Sequence, residues 1–220
     1  MSALTLRFIA CATMLIDHVG AILFPGVIIF RIIGRLSFPI YAYLIANGFR
    51  HTRNVNRYLQ RLVVFALISE IPYDLAFNNA ILEFSRQNIF FTLSIALGAL
   101  MLRAMLYKSK KVAEPFGHVI AIFTAAIVAE LTCASYGMVG IVTVFLFDVW
   151  LDKRINLLAA VLLMGLNFFS MGWVQAFGVL AFVPIMLYNG KPGAKNTLLQ
   201  YAFYLFYPLH LVVLHLIDLA

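Results

Sequence analysis

Four ionisable side chains interrupt two long apolar runs near the start of the chain. Asp17 and His18 lie in the first run, and Arg31 and Arg35 lie in the second. A charge at the centre of a bilayer costs roughly 2.5 kcal/mol or more, so such residues in membrane spans usually serve a function. A neutral imidazole accepts a proton near physiological pH, which makes His18 a candidate general base. Arginines offer planar donor forks that suit phosphate, carboxylate or oxyanion groups.

Helical spacing places these groups on shared faces. Arg7 and His18 are eleven positions apart, which is about three turns plus 20° and a rise of about 16 Å, so they lie on one stripe. Arg31 and Arg35 are four positions apart and share a face. An antiparallel hairpin would bring the ionisable groups of both helices into one cluster. Because neighbours on a helix point about 100° apart, we expect Asp17 to pair with Arg31 or Arg35 and to leave His18 free.

Four further polar residues are candidates for binding a substrate. Glu70 and Asp74 are four positions apart and face the same way. Asn88 belongs to a polar cluster that opens the next apolar run, and His210 follows Pro208, where a kink often marks an internal cavity. Structural alternatives remain open: the two acids only neutralise arginines, and Asn88 only caps a helix. The five histidines have no coordinating spacing, so no metal site is expected.

The composition indicates the kind of protein that must position these groups. Of 220 residues, 64% are hydrophobic and 11% are charged, whereas soluble domains are about 45–50% apolar. The chain is therefore predicted to be a membrane protein with a single domain, residues 1–220. A net charge of +7 would suggest nucleic-acid binding in a soluble protein. Here the basic residues lie in short gaps between apolar runs, which excludes a nucleic-acid partner.

The apolar runs predict an all-α bundle of about nine transmembrane helices. The runs are continuous and do not alternate as barrel strands would. They cover residues 6–24, 27–48, 60–78, 88–106, 115–133, 137–151, 155–170, 173–188 and 199–218. With nine spans, thirteen of the sixteen Lys and Arg residues fall on one side of the membrane. The positive-inside rule then predicts a cytoplasmic N-terminus, and no cleavage site follows the first run.

Several segments of the chain carry a resemblance. They are TMLIDHVGAILFP, RIIGRLSFPIYAYLIANGFRHTRN, RLVVFALISEIPYDLAF, QNIFFTL and FYPLHLVVL. These segments resemble the TraX family of multi-pass bacterial inner-membrane proteins, named for the acetylation of conjugative F-pilin. The resemblance covers most of the first hundred residues and the last span. Across residues 105–195 the chain is similar mainly in its apolar character.

The resemblance implies an acetyltransferase that uses acetyl-coenzyme A as its donor substrate. Related membrane-bound acyltransferases share a basic residue ten intervening positions before a histidine, as Arg7 and His18 are here. They also carry paired arginines, which Arg31 and Arg35 resemble at one residue wider spacing than RxxR. The implied catalytic residues are His18 and Asp17, with the three arginines binding the donor or the oxyanion. The implied acceptor is an amine, such as the N-terminus of a membrane-inserted pilin-like protein, or a hydroxyl.

Two other functional classes compete with this interpretation. A proton-coupled transporter also uses intramembrane Asp, His and Glu residues, but it predicts an inverted internal repeat that the sequence does not show. A non-enzymatic partner of an assembly machine has no use for Arg7 and His18 on one stripe.

Overall fold

A computed structural model describes residues 1–109, 113–152, 154–194 and 196–220. The described residues form no strand, only an isolated bridge between Gln87 and Ala134. The predicted all-α class is therefore confirmed. The helices are α1 (Ala3–Ile22), α2 (Ile28–Gly34), α3 (Ser37–His51), α4 (Val55–Asn78), α5 (Ile89–Lys108), α6 (Glu114–Leu131), α7 (Gly137–Leu151), α8 (Leu157–Phe169), α9 (Trp173–Ala176), α10 (Phe182–Met186) and α11 (Thr197–Asp218), with a 3-10 turn at Phe177–Ala181 between α9 and α10.

Every predicted span coincides with a helix or with consecutive short helices. The second span is divided into α2 and α3, and the eighth is divided into α9, the 3-10 turn and α10. Within the described residues, four helical runs are long and apolar enough to cross a membrane: Ala3–Ile22, Ile28–His51, Ile89–Lys108 and Thr197–Asp218. The total number of spans and the side of the N-terminus stay predictions.

The bundle exposes apolar side chains on its outside, as a lipid-facing protein must. Leu67, Phe123, Leu166 and Leu198 are each more than half exposed. A soluble monomer rarely shows apolar surface on this scale. The interior is also apolar, so polar side chains buried within it need partners.

The helices around the candidate site pack as neighbours. Helix α1 contacts α2, α3 and α11, while α4 contacts α5 and α11. The described core includes Leu6 of α1, Leu97 of α5 and Leu211 of α11, which are fully buried. Residues far apart in the chain, near its start and near its end, therefore face each other in the bundle.

Helix α5 begins beside the middle of α4. The side-chain amide of Asn88 donates to the carbonyl oxygen of Ala66 at 2.7 Å, and its side-chain oxygen accepts from the backbone N–H of Phe90 at 3.0 Å. Asn88 is thus the N-cap of α5 and is fully buried. The loop between the two helices must return into the bundle to reach this position.

Candidate functional site

Asp17 joins α1 to α2 through two arginines. Its Oδ2 lies 3.0 Å from Nη1 of Arg31, and its Oδ1 lies 2.5 Å from Nη2 of Arg35. The side chain of Asp17 is only 13% exposed. Nη1 of Arg35 also donates to Oε1 of Gln175 at 2.7 Å. The predicted pairing of Asp17 is confirmed, and it includes both arginines.

The close approach of α2 to α1 requires Gly34. A Cβ atom at Gly34 would lie 2.2 Å from both Cβ and Oδ1 of Asp17. We expect Gly34→Ala to displace this carboxylate and to lower the free energy of unfolding by roughly 1–3 kcal/mol, the usual cost of overpacking. Thermal unfolding in detergent measures the change. Gly26→Ala is the matched control because nothing lies within 4 Å of its added Cβ; equal melting temperatures for the two variants would contradict this explanation.

His18 pairs with His210 across α1 and α11. Nδ1 of His18 lies 2.7 Å from Nε2 of His210, and the two rings are within 8° of parallel. Phe77 and Tyr207 contact the His18 ring edge to face, with centroids 5.3 and 6.0 Å away. Asp17 binds the arginines and leaves His18 free of its carboxylate, as expected, but the sequence did not indicate the partner of His18 on the last helix.

A cavity of about 520 Å³ reaches from one end of the bundle towards His18. Its outer end is lined by Ala3, His51 and Gly190, which lie at or beyond helix ends. Its inner end is lined by Met14 and Tyr207. The wall is mostly apolar and aromatic, contributed by α1, α3, α4, α5, α11 and the segment before α11. An elongated ligand with an apolar middle suits this shape.

The inner end of the cavity lies next to His18. Met14 precedes His18 by four positions, which is one helical turn or about 6 Å. Tyr207 both lines the cavity and contacts the His18 ring. Arg7 also lines the cavity, so the predicted stripe from Arg7 to His18 runs along its wall.

Arg61 is a second arginine in the cavity wall, and sequence reasoning missed it. The sequence showed it only as one of several basic residues between two spans. In the structure Arg61 lines the cavity, its guanidinium lies 5.8 Å from the ring centroid of Tyr58, and its buried Nε has no hydrogen-bond partner among the described residues. A buried donor of this kind is costly unless a ligand satisfies it.

Glu70 and Asp74 are bound by uncharged donors. Oε2 of Glu70 accepts from the backbone and side-chain N–H groups of Asn88, while its buried Oε1 has no partner in the described part of the chain. Asp74, fully buried, accepts from Asn78 Nδ2 at 3.0 Å and from the backbone N–H of Glu83 at 2.8 Å. The alternative in which these acids neutralise arginines does not describe their contacts.

A third cluster of charged residues, centred on Asp148, was not predicted from the sequence. Asp148 lies near the C-terminal end of α7, yet it is 0% exposed. Arg50 Nη2 lies 2.8 Å from its Oδ1, and Arg103 binds its Oδ2. Arg50 also binds Asp152 beyond the end of α7, and this hydrogen bond lowers the pKa of the Asp152 carboxyl. The four residues of this cluster lie on α3, α5, α7 and the C-cap of α7, so only the packing of these helices reveals it.

Residues 2–218 match the family described as TraX protein. The chain is 31% identical to a probable fimbrial assembly protein FimC, serogroup H1, of Dichelobacter nodosus, over 97% of this chain and 94% of that protein. It is 30% identical to the uncharacterized protein RP591 of Rickettsia prowazekii, over 42% of this chain and 33% of that protein. No solved structure matches. The match over nearly the whole length shows that the chain belongs to the TraX family.

Proposed function

We propose that this protein is an acetyltransferase of the bacterial inner membrane that moves an acetyl group from acetyl-coenzyme A to an acceptor amine. The observation that carries the proposal is the cavity, which leads from two arginines to the side of a part-buried histidine pair. The name of the Dichelobacter relative, a probable fimbrial assembly protein, favours a pilin-like acceptor.

The cavity would bind the donor along its length. Arg7 and Arg61 would hold the phosphate groups of coenzyme A, since a guanidinium suits phosphate oxygens and Nε of Arg61 has no other partner. The apolar and aromatic wall would contact the pantetheine arm. The thioester would then lie at the inner end, beside Tyr207 and within reach of His18.

His18 would act as the general base of the transfer. The amine nitrogen attacks the thioester carbonyl carbon, so a C–N bond forms and the C–S bond breaks. His18 takes a proton from the attacking nitrogen and delivers it to the departing sulfur, which leaves as the thiol of coenzyme A. An arginine of the pair Arg31 and Arg35 would stabilise the tetrahedral oxyanion. Asp17 would orient these arginines, since both of them bind its carboxylate.

Glu70 is the best candidate for receiving the acceptor. Its Oε1 is buried and has no hydrogen-bond partner, whereas Asn88 occupies Oε2. An ammonium or amine group arriving from the acceptor would satisfy this oxygen through a charge-assisted hydrogen bond. Asp74 would act less directly, because Asn78 and the Glu83 backbone already bind its carboxylate.

The donor site can be tested by binding. We expect acetyl-coenzyme A and free coenzyme A to raise the melting temperature of the detergent-purified protein. At a ligand concentration of one hundred times Kd, the free energy of unfolding should rise by about 2.7 kcal/mol. Arg61→Gln should weaken this binding by about tenfold to a hundredfold, because a hydrogen bond to a charged group contributes about 1.5–3 kcal/mol. Arg57→Gln is the matched control, since Arg57 is exposed on the same helix and does not line the cavity.

Two results would count against the proposal. One is an absence of stabilisation by either coenzyme species, with an unrelated nucleotide as the reference. The other is an absence of labelled protein after incubation with labelled acetyl-coenzyme A and host membranes, as judged by mass spectrometry. A proton-coupled transporter, the alternative from the sequence, would instead show proton uptake driven by its substrate in sealed vesicles and no transfer of label.

A further inference from the structure

We infer that His210 is a positioning residue: it holds His18 in the tautomer whose Nε2 is unprotonated, so that Nε2 is the atom that takes the proton from the acceptor. This inference rests on the proposed transferase function and assigns to His210 a role other than binding substrate.

Neutral His210 carries its proton on Nδ1. Nδ1 of His210 lies 2.6 Å from the carbonyl oxygen of Phe206, one turn earlier in α11. A carbonyl oxygen can only accept a hydrogen bond, so Nδ1 of His210 carries the hydrogen. In a neutral imidazole the other nitrogen, Nε2, is then an acceptor with a free lone pair.

His18 also carries its proton on Nδ1. Nε2 of His210 lies 2.7 Å from Nδ1 of His18, so His18 must donate from Nδ1. Neutral His18 therefore has a bare Nε2. The opposite tautomer of His18 would place two lone pairs against each other unless His210 carried a positive charge. A further positive charge in this part of the bundle is disfavoured, because two cations, Arg31 and Arg35, already lie on the neighbouring helix α2 and at its C-cap.

Aromatic packing holds both histidine rings in the orientation that these hydrogen bonds require. The Phe206 ring is stacked on His210 at a centroid distance of 4.8 Å, and Tyr207 meets the same ring edge to face. On the other side, Phe77 and Tyr207 hold the His18 ring. His18 makes its hydrogen bond within the described part of the chain through Nδ1, which leaves Nε2 for a substrate.

The arrangement has a chemical advantage inside a bilayer. Many catalytic histidines are oriented by a carboxylate, which adds a negative charge to the site. Here a neutral imidazole, that of His210, orients His18 without adding a charge. When Nε2 of His18 takes a proton, Nδ1–H continues to donate to His210, so the ring orientation is kept and the positive charge is shared along the hydrogen bond.

The tautomer can be observed directly by NMR of the full-length protein with isotope-labelled histidine, in detergent at neutral pH. We expect His18 to be protonated at Nδ1 and bare at Nε2 in the wild type. His210→Leu removes the acceptor and should release His18 into a mixture of tautomers. His210→Gln supplies an amide oxygen as a replacement acceptor and should restore the Nδ1–H form. His215→Leu, on the same helix, is the control and should leave His18 unchanged.

Enzyme kinetics provide the second measurement. His210→Leu should lower kcat for acetyl transfer by less than the about 10²- to 10⁴-fold expected for loss of the general base itself, because part of the His18 population keeps an unprotonated Nε2, with little change in KM for acetyl-coenzyme A. His210→Gln should recover part of this loss. A wild-type His18 protonated at Nε2, or the same tautomer in His210→Leu as in the wild type, would overturn the inference. If the wild type transfers no acetyl group although its tautomer is as expected, the proposed function fails and the hydrogen-bond assignment stands, so the two failures are distinguishable.

Discussion

His18→Ala is expected to lower the rate of acetyl transfer by about 10²- to 10⁴-fold, because it removes the proposed general base. Binding of coenzyme A should be largely kept, since His18 lies beyond the inner end of the cavity and does not line it. Steady-state transfer assays with labelled acetyl-coenzyme A give the rate, and the thermal shift gives the binding. The expected pattern is therefore a loss of kcat with KM for the donor almost unchanged.

The control for this variant is His215→Ala. His215 is also a histidine of α11, but it lies near the C-terminal end of the helix, in the last turn. Its replacement should leave both rate and binding as in the wild type. Full activity of His18→Ala would remove His18 from the mechanism. Loss of coenzyme A binding in His18→Ala would instead show that the substitution disturbs the cavity wall.

Asp148→Ala is expected to have the largest effect on stability, about 3–5 kcal/mol in the free energy of unfolding. Breaking a buried ion pair by removing one partner leaves the other charge uncompensated. Asp148 is fully buried, and both Arg50 and Arg103 bind its carboxylate. Chemical or thermal unfolding in detergent measures the loss. Because Asp148, Arg50 and Arg103 do not line the cavity, the remaining folded protein should still bind coenzyme A.

Two variants make this prediction specific. Asp148→Asn keeps a hydrogen-bond acceptor and removes only the charge, so it should fall between Asp148→Ala and the wild type. Asp218→Ala removes an exposed carboxylate at the end of α11 and should change stability by less than about 0.5 kcal/mol. If Asp148→Ala unfolds at the same temperature as Asp218→Ala, the buried cluster does not stabilise the bundle.

Local features of the structure were predictable from the sequence. Continuous apolar runs between polar breaks predicted the helices, because each helix must satisfy its backbone hydrogen bonds within itself. The pairing of Asp17 with Arg31 and Arg35 followed from helical spacing across a short turn. These predictions involve residues fewer than twenty positions apart, where geometry within one helix or one hairpin decides the contact.

Contacts between distant segments were not predictable. His18 and His210 are 192 positions apart, and no periodicity indicates that α1 and α11 are neighbours. The cavity was not predictable for the same reason, since its wall combines side chains from both ends of the chain and from three helices between them. The burial of Asp148 also depends on which helices cover α7. Spacing along one helix carries no information of this kind.

The ion pairs of Asp148 also bear on how the chain is assembled during synthesis. Arg50 and Arg103 precede Asp148 in the sequence, so both arginines emerge from the ribosome before the acid that joins them. Each arginine lies close to a helix end, where water can solvate its guanidinium before Asp148 has been synthesised. When α7 packs against α3 and α5, its carboxylate meets two cations that were synthesised before it. Translation in the natural order thus spares Asp148 from entering the apolar interior without a counter-ion.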